Sequence, residues 1–325
     1  MNTVFIVLSV LTVISTVIAM ADKKAWWIRI FDFPRPQIIL VQIISIAGLL
    51  LIEENLSLTN GIHAGITLLA LGVQITYIFP YFPFAKKEVP DIKSSSVKTI
   101  SILVANVLMD NRESKTLLKL VAQYQPDIFL AIETNDWWAT QLDAIAEQYP
   151  HHIKCPMDNT YGMLLYSRFA LENGKIEHLV KKSVPSIHAD VIAGNFTFKL
   201  SCLHPEPPTP EEAETSRPRD RELLLMAHKV KETPGPWVVL GDLNDVAWSD
   251  TSIKFLRISN LRDPRKGRGF YNTYDAKKPF MRWALDHVFL SDHFQVSTMK
   301  RLPNIGSDHF PIYLKCGVEV LQSSD

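Results

Sequence analysis

Cysteine is scarce. Cys155, Cys202 and Cys316 are the only three in 325 residues, and no two form a CxxC pair. That spacing argues against a thiolate metal cluster or a disulfide framework and leaves small buried hydrophobes as the reading. Net charge is also absent, with 34 Lys and Arg against 34 Asp and Glu. The basic footprint of a nucleic-acid binder is therefore missing. There is no internal repeat, no low-complexity stretch and no reactive serine or cysteine pattern.

What is abundant is apolar sequence, and it is unevenly placed. Residues 3–20 hold no charge, Ile38–Ile52 is a second apolar run, and Gly61–Phe79 is a third. Three such runs without a polar face read as membrane helices, with spans over about 3–20, 36–53 and 61–80. Trp26, Trp27, Tyr77 and Tyr81 fall near their ends, where interfacial aromatics belong. No Lys or Arg precedes the first run, so an uncleaved helix is favoured over a signal peptide. The first loop carries Lys23, Lys24, Arg29 and Arg35, and the second carries Glu53 and Glu54 without a cation. By the positive-inside rule the first loop and the long carboxy-terminal region lie in the cytoplasm, with the amino terminus outside. Residues 1–81 are thus expected to form a membrane domain, 82–97 a linker and 319–325 a disordered tail.

The region 98–318 alternates strand-like and helix-like stretches. Thr99–Asn106 and Asp127–Glu133 read as buried strands, with a helix over Ser114–Tyr124 between them. Helices are also expected over Trp137–Gln148, Arg219–Lys231 and Ser252–Ile258. Ile187–Ala193 and Phe196–Leu203 flank Gly194-Asn195 as a hairpin. Trp237–Leu240 follows a Pro-Gly-Pro break and delivers the turn Gly241-Asp242-Leu243-Asn244-Asp245. Leu285–Leu290, Phe294–Met299 and Phe310–Lys315 are the last strands. The fold class is α/β, with mixed sheets packed between outer helices.

Polar residues collect where these strands end. Asn106, Glu133, His204, Asp242 and Asn244 follow strands, Asp286 opens one, and Asp308-His309 precede the last. Carboxylates and amides suit a hard cation such as Mg²⁺ or Mn²⁺. Imidazoles beside them suit water activation and leaving-group protonation. His287 alternates to the opposite face from Asp286. Arg282, four residues before Asp286, is a candidate phosphate ligand. Arg265 and Arg268 in a glycine-containing loop are either anion contacts or solvated loop residues, and Asn135 or Asp136 caps the helix behind Glu133.

Five stretches in this order carry a family resemblance: the Asn106 strand, Ile132-Glu133, Gly241-Asp242-Leu243-Asn244, Leu285-Asp286-His287 and Ser307-Asp308-His309. Together they resemble the endonuclease/exonuclease/phosphatase superfamily with the DNase I-like fold, over about residues 98–318. The resemblance implies a four-layer sandwich of two mixed β-sheets with outer helices, and metal-dependent hydrolysis of a phosphate ester. It implies Glu133, Asn106 and Asp308 on the metal side, His309 oriented by Asp286 as the base, and Asp242 near the nucleophile or leaving group. Asn244 would donate to phosphoryl oxygens, and His204 would bind a phosphate oxygen or protonate the leaving group. Leu108 stands where some nuclease members carry an acid. The stretches 204–208, 242–249, 263–269 and 305–311 resemble bacterial membrane-anchored members with envelope functions, which would allow the domain to face outward.

The expected protein is thus a multi-pass bacterial membrane phosphoesterase acting on a lipid-linked or other envelope phosphate. The rivals are a membrane-tethered nuclease acting on nucleic acid and a non-catalytic binding module on the same fold.

Overall fold

In the computed structural model, residues 2–21, 23–51, 57–93, 97–210 and 212–318 are described. The expected tail at 319–325 and the acids Glu53 and Glu54 lie outside the described residues.

Strand parity builds the core. In β1 (Lys98–Asn106), Ile100, Ile102 and Val104 face one way and Leu103 and Ala105 the other. The same split recurs in β8 (Trp237–Asp242), where Val238 and Leu240 join the first cluster and Trp237 and Val239 a separate one. The first cluster lies between two sheets and the others lie beneath helices, which is the expected four-layer α/β sandwich.

One sheet has six strands in the order β10 (Phe294–Arg301), β11 (Ile312–Val318), β1, β2 (Ile128–Ile132), β4 (Met163–Ser167) and β3 (His151–Cys155). The second has five, β5 (Ala170–Glu177), β6 (Ser186–Ala193), β7 (Phe196–Leu203), β8 and β9 (Asp286–Leu290). Each sheet is antiparallel apart from one parallel pair, β1 with β2 and β7 with β8. Helices α5 (Ser114–Tyr124) and α6 (Asp136–Leu142) supply Leu117, Val121, Trp138 and Leu142 to one outer layer. Helices α7 (Arg217–Glu232) and α8 (Asp250–Ser259) supply Leu223, Met226 and Phe255 to the other.

The expected helix over Trp137–Gln148 stops being α-helical at Leu142 and continues as a tighter 3₁₀ turn over Asp143–Gln148. Strands β3 and β5 were not expected. Both are edge strands, and their sequences HHIKC and ALENGKIE lack the apolar alternation that marks a half-buried strand.

The amino-terminal region is three helices, α1 (Asn2–Ala19), α3 (Arg35–Leu51) and α4 (Leu58–Ile78). Among the described residues, only the α4 stretch, Leu58–Tyr81, is long and apolar enough to cross a bilayer alone. A bent pair, Trp26–Asp32 with Arg35–Leu51, passes together across a 66° break, and Thr3–Ala19 is shorter. Pro34 stands at that break and Pro36 sits in the first turn of α3, where proline is tolerated. The short helix α2 (Trp26–Arg29) lies in the connection from α1 to α3.

The stretch 82–93 is not a free linker. Val89 is fully buried, Ile92 N–H donates to the Val296 carbonyl, and Val296 N–H donates to the Pro90 carbonyl. Glu88 accepts from Asp263 N–H at 2.7 Å and from Lys266 at 3.0 Å. Its prolines and charges, which suggested a solvated tether, are the groups that fasten it to the domain.

Candidate active site

The mouth of the gap between the sheets gathers the candidate residues, and register explains why. Asn106 pairs with Ile132 at the ends of parallel β1 and β2, which places Glu133 one step beyond. Leu203 pairs with Gly241 in β7 and β8, which places His204 beside Asp242. Asp242 pairs with Asp286 in antiparallel β8 and β9. Asn106, Asp242 and Asp286 share the parity of the intersheet core in their strands, so polar side chains take over where the apolar filling stops. His287 has the opposite parity, as expected, and its Nε2 meets the Asp245 carbonyl at 2.9 Å.

Two glycines permit this closeness. A Cβ at Gly241 would sit 1.9 Å from the Leu203 carbonyl oxygen, and one at Gly162 would sit 1.8 Å from the Thr134 carbonyl oxygen. Glu133 and Asn244 themselves adopt left-handed backbone, with φ of 60° and 49°. Non-glycine residues rarely take that conformation, and such strain concentrates at functional sites.

His309 Nδ1 lies 2.8 Å from Asp286 Oδ2, and its Nε2 lies 3.5 Å from Asp242 Oδ2. Burial pulls the His309 pKa down, but the Asp286, Asp242 and Asp308 carboxylates outweigh it and raise it to about 10. Asn106 Nδ2 donates to Glu133 Oε1 at 2.7 Å and to Asp242 Oδ2 at 3.0 Å, while its Oδ1 accepts from Leu108 N–H at 3.1 Å. In this arrangement Asn106 braces two carboxylates, and its own oxygen is already engaged. Asp242 Oδ1 accepts from Asn244 N–H at 2.9 Å, and Asn244 Nδ2 donates to the Pro205 carbonyl at 3.0 Å.

Burial raises the Glu133 pKa to about 7, against the opposing Asn106 hydrogen bond and His309 charge. Burial lowers His204 to about 4, and its Nδ1 is buried without a hydrogen-bond partner. Glu133, His204 and Asp242 bring one ligand atom each within 4.8 Å of the others, as do Asp242, Asp286 and His309. The second group is already closed by the Asp286–His309 contact. The first holds a desolvated carboxylate and an orphaned imidazole nitrogen, which fits a divalent cation.

A cavity of about 570 Å³ opens on this cluster, lined at one end by Glu133, Asn244, Asp308 and His309. Arg282 is not among its lining residues. Its guanidinium donates to the Asp275 and Ala276 carbonyls at 3.3 and 3.2 Å and lies 5.0 Å from the Phe310 ring centre, so the expected phosphate contact is not made. Arg265 is likewise buried against Asp263 and His287, and Arg268 reaches Asp91 and the Val89 carbonyl. Neither is a free anion-binding cation.

Sequence reasoning missed the buried framework behind the Asp242 turn. Arg219 Nη1 donates to the Asn244 carbonyl at 2.8 Å and lies 3.3 Å from Asp245 Oδ1. Asp245 also accepts from Ser249, which caps α8. An arginine on a helix face reads as a surface residue, and only the Asp245 that follows Asn244 hinted at a partner. Tyr274 was also missed, and its ring centre lies 4.9 Å from that of His309.

The family model described as the Endonuclease/Exonuclease/phosphatase family matches residues 103–309. The chain belongs to that family. Its members are metal-dependent phosphoester hydrolases. No curated protein matches the chain in sequence. Among solved structures it is similar to humanized D. rerio TDP2, at 18% identity and a TM-score of 0.58, over 68% of this chain and 99% of that one. It is similar to the human Nocturnin catalytic domain with bound sulfate, at 18% identity and 0.56, over 68% and 94%. A Beutenbergia cavernae endonuclease/exonuclease/phosphatase gives 14% identity and 0.54, over 68% and 72%. These likenesses carry the DNase I-like fold.

Proposed function

We propose that this protein is a membrane-anchored, divalent-metal-dependent phosphoesterase whose substrate carries one phosphate group on a largely uncharged body, as a lipid or other envelope-associated phosphate does. The observation that carries the substrate reading is the charge inventory of the cleft. Apart from the catalytic His309, its one cationic lining residue among those described is Arg29. That guanidinium is committed to Asp32 at 2.9 Å and to the Lys23 and Ala21 carbonyls at 3.0 and 2.8 Å. Nucleic-acid sites hold the flanking phosphates with Lys and Arg, and this cleft offers none free. D. rerio TDP2 has been solved with a single-strand DNA product, which makes a nuclease the rival to test.

The membrane reading rests on helices turned inside out. Thr16, Gln42, Ser45, Thr67 and Gln74 are buried within the three-helix bundle, while Val4, Leu51 and Leu69 are 60%, 81% and 75% exposed. Gln42 and Gln74 both donate to Thr16 Oγ1, at 3.2 and 3.0 Å, and Arg35 donates to Gln74. Polar glue inside and aliphatic surface outside is the arrangement a bilayer selects.

Glu133, Asp242, Asp308 and the His204 imidazole would hold the metal, and oxygen donors with one nitrogen admit Mg²⁺ or Mn²⁺. When bound, it supplies charge neutralisation of the phosphate oxygens. Asp286 fixes the His309 ring, whose Nε2, on the Asp242 side, would take a proton from the attacking water. Asn244, fixed through its backbone N–H to Asp242 and its side-chain amide to the Pro205 carbonyl, would donate its remaining amide proton to a phosphoryl oxygen. In-line attack then inverts the phosphorus.

The loop charges favour a cytoplasmic active site. The connection between α1 and α3 packs on the catalytic domain, so both lie on one side of the membrane in this topology.

The test is hydrolysis by the full-length protein in detergent, with an alkyl phosphate and single-stranded DNA assayed in parallel, with and without EDTA. The reading requires EDTA-sensitive release of phosphate from the alkyl ester and loss of turnover in His309→Ala. Cleavage confined to DNA would replace it with the nuclease.

A further inference from the structure

The catalytic cleft is only half built by the catalytic domain. Its far wall comes from the connection between α1 and α3, where Trp26, Ile30, Phe33 and Pro34 line the same cavity as Glu133 and His309. Met281 and Trp283 complete that wall from the loop before β9.

This connection is anchored rather than draped. Trp248 Nε1 donates to the Asp32 carbonyl at 2.7 Å, four residues beyond Asn244. Trp26 N–H donates to the Glu214 carbonyl at 3.1 Å, and Ser216 N–H donates to the Lys24 carbonyl at 2.7 Å. A continuous aromatic path then leads to the chemistry. Phe33 meets Trp283 edge-on at 5.6 Å, Trp283 stacks on Tyr274 at 6.2 Å, and Tyr274 contacts His309 at 4.9 Å. On the rim, Ile30 is 53% exposed and Met281 51% exposed. Gln37 Nε2, near the start of α3, donates to the Phe280 carbonyl at 3.0 Å, so this rim lies at the level where α3 begins.

We infer that this wall is a tail-binding subsite: Trp26, Ile30, Phe33, Met281 and Trp283 take the aliphatic chain of the phosphate ester next to its head group and thereby set substrate specificity. The occupant is committed by continuity. The apolar wall and the catalytic carboxylates line one cavity, Arg29 is the one Lys or Arg lining it among the described residues and is held by Asp32, and the rim meets the first residues of an apolar helix. A chain that is apolar beside its phosphate satisfies both ends, and it would reach the site from the bilayer side. The inference rests on the phosphoesterase reading above for its turnover readout.

The experiment compares butyl phosphate with dodecyl phosphate, both as monomers, on the full-length protein. Each buried methylene contributes up to about fourfold in transition-state binding. The inference requires kcat/KM for the dodecyl ester to exceed that for the butyl ester by on the order of a hundredfold. Ile30→Gln with Met281→Gln should cut that ratio at least about tenfold. Ile176→Gln, at an exposed site on strand β5, should leave it unchanged. Both altered rim side chains are more than half exposed, so the substitutions do not open the core.

A ratio near one in the unaltered protein, or a ratio unmoved by the double variant, overturns the inference. A second readout is independent of turnover. A brominated dodecyl phosphate should quench Trp26 and Trp283 fluorescence saturably, and the double variant should weaken that binding. If no ester is hydrolysed but quenching saturates, the subsite stands and the enzymatic reading falls. If no quenching occurs, the subsite is wrong whatever the turnover.

Discussion

The two halves of this chain place their apolar residues in opposite ways. In the catalytic domain, Ile102, Val104, Leu130, Leu240 and Leu290 are completely or almost completely buried between the sheets, and polarity increases outward. In the amino-terminal helices, Ser9, Thr16, Gln42, Thr67 and Gln74 are buried among a few aliphatic residues such as Leu49 and Ile78, while Val4, Leu11, Leu51 and Leu69 face out. One half is organised by exclusion of water. The other carries hydrogen bonds between its helices, including Ser9 to Thr67 at 2.6 Å and Ser45 to the Phe5 carbonyl at 2.8 Å. The site lies where the two meet, with its charged end built from strand ends and its apolar end from the connection between helices.

Changes that respect or violate this contrast should have graded effects. The largest falls on the chemistry, which belongs to the domain: His309→Ala is expected to lower kcat/KM by about 10²- to 10⁴-fold in steady-state assays. Next comes the buried framework. Arg219→Ala leaves Asp245 without its cation and Asp220 with Lys24 alone, although burial has already raised Asp245 to about 6. The expected loss is about 3 to 5 kcal/mol in denaturant unfolding, with activity falling as the Asn244 turn loosens.

A pH effect follows from His188. It is held between Ser186 and Ser201 at 3.0 and 2.7 Å. Burial, with the nearby Lys229 charge, lowers its pKa from 6.5 to about 4. The unfolded chain therefore binds a proton in this interval that the folded chain refuses. Stability is fully present above the ordinary value and declines as pH falls towards 4, by about 2 to 3 kcal/mol. Thermal unfolding of His188→Gln across that range should show a flatter profile. The smallest effect belongs to the helices. Gln74→Leu removes bonds to Arg35 and Thr16 and should cost about 1 to 2 kcal/mol in detergent, although it adds apolar surface. The same exchange of polar for apolar would be neutral or favourable in a water-excluding core, so stabilisation here would break the comparison.

Much of this was legible in the sequence because parity carries it. Continuous apolar runs in Thr99–Asn106 and Trp237–Leu240 marked buried strands, and polar residues at strand ends marked Asn106, Glu133, Asp242, Asp286 and His309 as candidates for one site. All five lie within one network of hydrogen bonds and ion pairs, from Glu133 through Asn106 and Asp242 to His309 and Asp286. Arg282 was misplaced because its position in the chain says nothing of the Phe310 ring and the carbonyls of Asp275 and Ala276 that capture it. The docking of 82–93 and the role of Trp26–Pro34 were invisible for a common reason. Both depend on long-range contacts, Glu88 with Lys266 and Asp32 with Trp248, that leave no periodic trace.

The most direct measurement is metal titration of the full-length, EDTA-treated protein, followed by hydrolysis of dodecyl phosphate. The account predicts that Mg²⁺ or Mn²⁺ restores turnover, and that Glu133→Gln weakens metal binding and abolishes the restoration while the fold is retained. Hydrolysis that persists without metal, or that is restored equally in Glu133→Gln, would contradict it.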